Sequence, residues 1–236
     1  MSATLKILMI LTSTAAMGDD ARPTGVWFEE LSTPYYAFVD AGAEVEIASI
    51  QGGPVPIDPH SIRASGNPPS VSRFLADEAA MRKLATSTRI DGRFAVDGYS
   101  AVFLPGGHGT MWDLPASTDL AGLLSRAWAQ GKVLAAVCHG PAGLLNVKDV
   151  DGRPLVAGRH VAAFTNTEEE AAGLTRTVPF LLETRLRELG AVHERGPDFA
   201  PFARRDGRLV TGQNPASSEA AARLTLEAVG AAAAAR

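Results

Sequence analysis

Residues 133–143 read Val-Leu-Ala-Ala-Val-Cys-His-Gly-Pro-Ala-Gly. A short run of Val, Leu and Ala that stops abruptly predicts a buried parallel strand. Gly-Pro-Ala-Gly followed by Leu-Leu predicts a tight turn entering a helix, with Pro near the first turn. Cys138, the only cysteine of the chain, stands at that corner. A side chain there is presented at the top of a sheet, and a helix N-terminus beside a thiol favours thiolate. Most lone cysteines are inert core residues. The strand-end position, the adjacent His139 and a glycine-rich loop earlier in the chain turn the reading towards a nucleophile.

Outward from this corner, short apolar runs alternate with helical patterns. Strands are predicted at Ile7–Leu11, Glu44–Ile50, Tyr99–Leu104, Val133–Val137 and His160–Phe164, with shorter ones at Val192–Glu194 and Arg208–Thr211. Helices are predicted at Glu30–Ala41, Ala76–Ala85, Thr118–Gln130, Pro179–Leu189 and Ala216–Ala235, with another starting near Glu168. Residues 51–72, rich in Pro, Gly and Ser, and the turn-rich 149–158 read as long loops or small insertions. Strands and helices in alternation imply an α/β fold, a mostly parallel central sheet with helices on both faces, and here one domain over 1–236. Ligands in such folds bind beyond the carboxyl ends of the strands. Cys138 lies at one such end and Pro105-Gly106-Gly107-His108-Gly109 at another.

The bulk properties exclude several classes. The chain has 236 residues, 46% hydrophobic and 20% charged, with a net charge of −4. That is ordinary for a globular protein and gives no basic face for nucleic acid or anionic membrane. A single cysteine excludes an intramolecular disulfide and fits a reducing compartment. Lys6 before Ile-Leu-Met-Ile-Leu imitates a secretory signal, but the apolar run is too short, and a cytoplasmic location is expected. No stretch has the length of a membrane span.

Three kinds of residue can carry chemistry. The glycine loop lets backbone amides approach a ligand, so the N–H groups of Gly107 and His139 are candidate oxyanion donors. It lacks the Gly-Lys-Ser/Thr ending of a phosphate loop. His139 is a candidate acid/base. The histidines are scattered without His-x-x-x-His spacing, so no metal site is predicted. Glu168-Glu169-Glu170 reads either as a solvated helix start or as the source of an acid that orients His139. A carboxyl at Glu29-Glu30 could, if buried, stay protonated and donate to a thiolate.

Together these segments resemble the DJ/ThiJ/PfpI superfamily, within the class I glutamine amidotransferase-like fold. The matching stretches are Thr24-Gly25-Val26-Trp27-Phe28-Glu29-Glu30, Leu104-Pro105-Gly106-Gly107-His108-Gly109, Ala136-Val137-Cys138-His139-Gly140-Pro141, Phe164-Thr165-Asn166-Thr167-Glu168-Glu169-Glu170 and Val178-Pro179-Phe180-Leu181-Leu182-Glu183. Their spacing is most similar to the heat-shock chaperone and glyoxalase III branch. The resemblance implies a flavodoxin-like sandwich and a homodimer. It implies Cys138 as nucleophile, His139 as acid/base, Glu30 as the carboxyl beside the cysteine and Glu169 as third acid, with Glu168 one position away. It also implies a small 2-oxoaldehyde substrate, for which a thiolate and proton relay suffice without a cofactor. The clustered His and Glu that hold a metal in some chaperone members have no counterpart located in the sequence, and no metal is expected. An amidase or peptidase, and a chaperone or redox sensor without turnover, are the alternatives on the same site. True glutamine amidotransferases fit poorly, because Ala136 stands where their Gly-x-Cys-x-Gly elbow has glycine, and His193-Glu194 is not a His-x-Glu pair.

Overall fold

A run as apolar as Ile7–Leu11 is satisfied only between two covering layers, and β1 (Lys6–Leu11) lies inside the sheet with all five of those residues buried. The structure, a computed structural model, describes residues 5–63 and 65–234. Seven strands form the main sheet, in the spatial order β3 (Thr88–Arg89), β2 (Glu44–Ser49), β1, β4 (Ala101–Leu104), β5 (Val133–Val137), β9 (Leu209–Gly212) and β8 (Ala203–Asp206). Every neighbouring pair is parallel except β8 and β9.

Alternation along the strands divides the core in two. Ile7, Met9, Phe103, Val133 and Ala135 face a layer built by α1 (Phe28–Asp40) and α9 (Ser218–Ala234), where Phe38 packs edge-on to Phe103 at 5.5 Å. Leu8, Ile10, Val102, Leu104, Leu134 and Ala136 face the opposite layer, which includes α6 (Thr118–Ala129). Each fully buried side chain of this kind contributes roughly 1.5–3 kcal/mol. The α/β sandwich with a mostly parallel sheet is therefore as expected from the sequence.

The chain runs from β1 to β2 and β3 on one side, then crosses to β4 on the other. The loops after β1 and β4 thus part at a switch of strand order, the usual place for a ligand crevice. The next loop along the sheet is the one that carries Cys138.

Several elements differ from their predicted bounds. Residues 51–72 are not all loop: α2 (Pro59–Arg63) and the start of α3 (Pro69–Ala76) lie there. Asp77 then interrupts the predicted 76–85 helix and caps α4 (Glu78–Ala85), accepting from the N–H groups of Ala79 and Ala80. The helix predicted after Cys138 is only a 3-10 turn, Gly140–Leu144. A four-residue α5 (Thr110–Asp113) follows the glycine loop. The strand predicted over His160–Phe164 stops early, as β6 (His160–Val161), which pairs with β7 (Val192–His193) outside the main sheet. Beyond Val161 the chain bonds instead to the ends of the main strands, with the Ala162 N–H donating to Thr211 Oγ1 and the Phe164 N–H to the Cys138 carbonyl. α7 (Asn166–Ala171) and α8 (Leu182–Glu188) complete the elements. Ala235 of the predicted terminal helix lies outside the described residues. Among the described residues no helix is long and apolar enough to cross a membrane.

Candidate active site

The corner after β5 is sharper than a simple turn. Cys138 has φ +61°, a left-handed conformation that costs an L side chain roughly 1–2 kcal/mol. Backbone bonds on both sides hold it there. Its N–H donates to the Gly212 carbonyl at 2.9 Å, and its carbonyl accepts from the Phe164 N–H at 3.0 Å. Such over-determined strain is found at functional positions.

The imidazole of His139 turns back towards the thiol. Its Nδ1 is 3.3 Å from Cys138 Sγ, and its Nε2 is 2.7 Å from Glu169 Oε2. An ionised Glu169 accepts only, so it fixes the tautomer: Nε2 carries the proton and Nδ1 receives from the thiol. The other oxygen, Oε1, is 2.8 Å from His108 Nε2. Cys138 is 3% exposed and His139 1%, so the whole relay is sealed from bulk water. Phe164 lies tilted against the His139 ring, centroids 4.4 Å apart, with Phe199, which is 52% exposed, next outwards.

Glu30 enters from the first turn of α1. Its Oε2 accepts from the Gly106 N–H at 2.7 Å, while Oε1 has no hydrogen-bond partner. Gly106 is needed for this approach, since a Cβ there would lie 2.7 Å from Glu30 Oε2 and from the His139 nitrogen. Gly107 has φ +98°, and a Cβ on it would come within 2.3 Å of the Gly25 carbonyl. The Thr110 hydroxyl ties the two loops together, lying 2.9 Å from the Gly107 carbonyl and 3.2 Å from that of His139.

Protonation follows from burial. Desolvation pushes Glu30 well above the ordinary carboxylate range, and hydrogen bonding with Cys138 and from the Gly106 N–H offsets only part of it. Burial therefore favours the protonated, neutral form of Glu30, with its unpartnered Oε1 placed to carry the proton. Burial also pushes the Cys138 thiol up, against the expectation of a thiolate favoured by a helix N-terminus. The five-residue 3-10 turn supplies no such dipole. His139 is held below its ordinary value by burial and by His108, against the pull of Glu169. Despite its own burial, Glu169 is held far below the ordinary range by the two imidazoles. The shifts thus favour a neutral thiol, a neutral imidazole and an ionised acid, an arrangement in which one proton passes from sulfur to His139.

A profile of the DJ-1/PfpI family matches residues 24–228. The chain belongs to the DJ-1/PfpI family. Within it, the glutathione-independent glyoxalase hsp3101 of Schizosaccharomyces pombe is 33% identical over 94% of this chain and 95% of its own. Among solved structures, this DJ-1/PfpI protein superposes on the 24 kDa rapid encystment protein of Francisella tularensis with a TM-score of 0.90, at 35% identity over 96% of this chain and 99% of that one. It superposes on glyoxalase III of Candida albicans with a TM-score of 0.86, at 28% identity over 96% and 98% of the two chains.

All four side chains expected at the site of this DJ-1/PfpI protein, Cys138, His139, Glu169 and Glu30, converge there. Glu168 does not join the relay. It accepts from the Thr165 N–H and hydroxyl, forming a capping box on α7, and from Phe199 N–H, Gln213 Nε2 and Asn214 Nδ2. His193, bonded near Glu183 on α8, is elsewhere in the fold.

His108 carries no signal in the sequence, because a histidine in a glycine loop, distant along the chain from both His139 and Glu169, has no ligand or relay spacing. With His139 and Glu169 it forms a group whose donor atoms lie within 4.8 Å of one another, near enough to hold a metal ion. That departs from the prediction that no such cluster exists. The 2.7 and 2.8 Å contacts are those of direct hydrogen bonds, so an ion would have to replace the protons on both imidazoles.

Proposed function

We infer that this protein is a glutathione-independent glyoxalase that converts small 2-oxoaldehydes such as methylglyoxal into 2-hydroxy acids. The observation that carries this reading is the buried contact of Cys138 with His139, itself oriented by Glu169, with the buried carboxyl of Glu30 beside it. The glyoxalase names of relatives matched over nearly their whole length support the substrate class.

The chemistry balances without an external redox partner. The Cys138 thiol gives its proton to His139 Nδ1 as sulfur attacks the aldehyde carbon. A hemithioacetal forms, and its oxygen takes that proton back. We assign the developing oxyanion to the Gly107 and His139 amides, a contribution of a few kcal/mol. Neutral His139 then removes the hydrogen from the former aldehyde carbon as a proton, giving an enediolate. The hydroxyl proton on that carbon passes to the former ketone oxygen, and His139 returns its proton to the adjacent carbon. The aldehyde carbon has been oxidised to a thioester and the ketone carbon reduced to a carbinol. Water cleaves the thioester, releasing the 2-hydroxy acid and restoring the thiol. Glu169, ionised throughout, stabilises the imidazolium that forms twice.

The burial of Cys138 suits a small substrate better than a polypeptide, which disfavours a peptidase. By family resemblance we also infer a homodimer, which light scattering would test. The functional test is incubation of purified protein with methylglyoxal in buffer free of glutathione. Lactate in the proton spectrum supports the reading. Unchanged methylglyoxal and its hydrates would overturn it.

A further inference from the structure

The loop after β4 serves the site with three consecutive residues, two of which fasten carboxyl groups. The Gly106 N–H binds Glu30 Oε2, Gly107 carries an amide with no protein acceptor among the described residues, and His108 Nε2 binds Glu169 Oε1. Glu169 rides on a helix of only six residues. With His139 alone as partner, its carboxylate could rotate about its last bond. A second donor on the opposite oxygen fixes the plane, and with it the direction from which Oε2 holds His139.

We propose that His108 is a positioning residue: its bond to Oε1 locks Glu169 so that His139 keeps Nδ1 on the Cys138 thiol. The same residue follows Gly107 directly, so the loop that presents the oxyanion amide also sets the proton relay. A helix-borne carboxylate shared by two imidazoles is the observation that carries this. Packing alone does not require a donor at this position, since the His108 ring also lies 4.2 Å from the His139 ring and 6.0 Å from Phe164, contacts an apolar ring would serve.

Two substitutions separate the two roles. His108→Gln keeps an N–H near the Nε2 position and discards the ring. His108→Phe keeps the ring and discards the donor. Loss of a hydrogen bond to a charged group predicts that kcat for methylglyoxal falls roughly 10- to 100-fold in His108→Phe. KM should move by less than about threefold, and His108→Gln should recover most of the rate. Because turnover rests on the glyoxalase reading, alkylation of Cys138 by iodoacetamide is measured in parallel. It needs His139 to take the thiol proton, but not the aldehyde chemistry. The same order, wild type near Gln and both above Phe, is expected there. A wild type inert to methylglyoxal but showing that order of alkylation would refute the glyoxalase reading and leave the role of His108 standing. Wild-type alkylation in His108→Phe, or a Gln variant as slow as Phe, would overturn the proposal. Should His108→Phe fail to fold, His108→Leu provides the donor-free comparison with the same two outcomes.

Discussion

Glu168 and Glu169 are adjacent in the chain, both buried, and bonded to different halves of the site. Glu169 receives two imidazole N–H groups, while Glu168 receives the backbone and amides of three separate segments, around residues 165, 199 and 213–214. One helical position is a rotation of about 100°, which is how neighbours serve a proton relay and a scaffold.

Substitution of each should therefore fail differently. Glu168→Ala strands several buried donors and is expected to lose about 3 kcal/mol or more of stability in urea unfolding. Glu169→Gln should lose under about 2 kcal/mol yet reduce kcat by at least about a hundredfold. Equal stability losses with similar residual activity would show that the two carboxylates are interchangeable.

Glu30 makes stability depend on pH. Its folded value is raised well above the ordinary 4.5. The fold therefore keeps a proton that the unfolded chain releases above about that pH. The contribution is fully present below pH 4.5 and is lost as pH rises towards the folded value, at up to roughly 1.4 kcal/mol per pH unit. Glu30→Gln removes this dependence. Unfolding free energies at a series of pH values should show the variant gaining on the wild type as pH rises. Parallel curves would mean that Glu30 is ionised in the fold.

The left-handed backbone of Cys138 should reverse a familiar order. At an ordinary buried position Ala is more stable than Gly by about 0.5–1 kcal/mol. Here φ is +61°, so Cys138→Gly is expected to be at least as stable as Cys138→Ala by thermal unfolding. A clear advantage for Ala would indicate that the elbow relaxes.

Much of this was legible in the sequence for physical reasons. Val133–Val137 and Ile7–Leu11 are continuous apolar runs, which only a sheet covered on both faces accommodates, and they place Cys138 at a strand end. The edges were not legible. Thr88–Arg89 is polar and exposed, and Ala203–Asp206 has a charged, largely exposed middle, so only their backbone bonds make them strands. The 3-10 turn after Cys138 was unreadable because it lies against β4, with a Cβ on Gly140 just 2.1 Å from the Leu104 carbonyl. The choice between Glu168 and Glu169 depended on helix phase, which Thr165 sets by capping α7. His108 depended on tertiary contact alone.

The most direct measurement compares lactate formation from methylglyoxal, without glutathione, by wild type, Cys138→Ala and His139→Ala at equal concentrations of folded protein. With a Cys138 nucleophile served by His139, the wild type turns over while Cys138→Ala forms none above the uncatalysed rate and His139→Ala falls by at least about a hundredfold. Wild-type turnover by Cys138→Ala would contradict it.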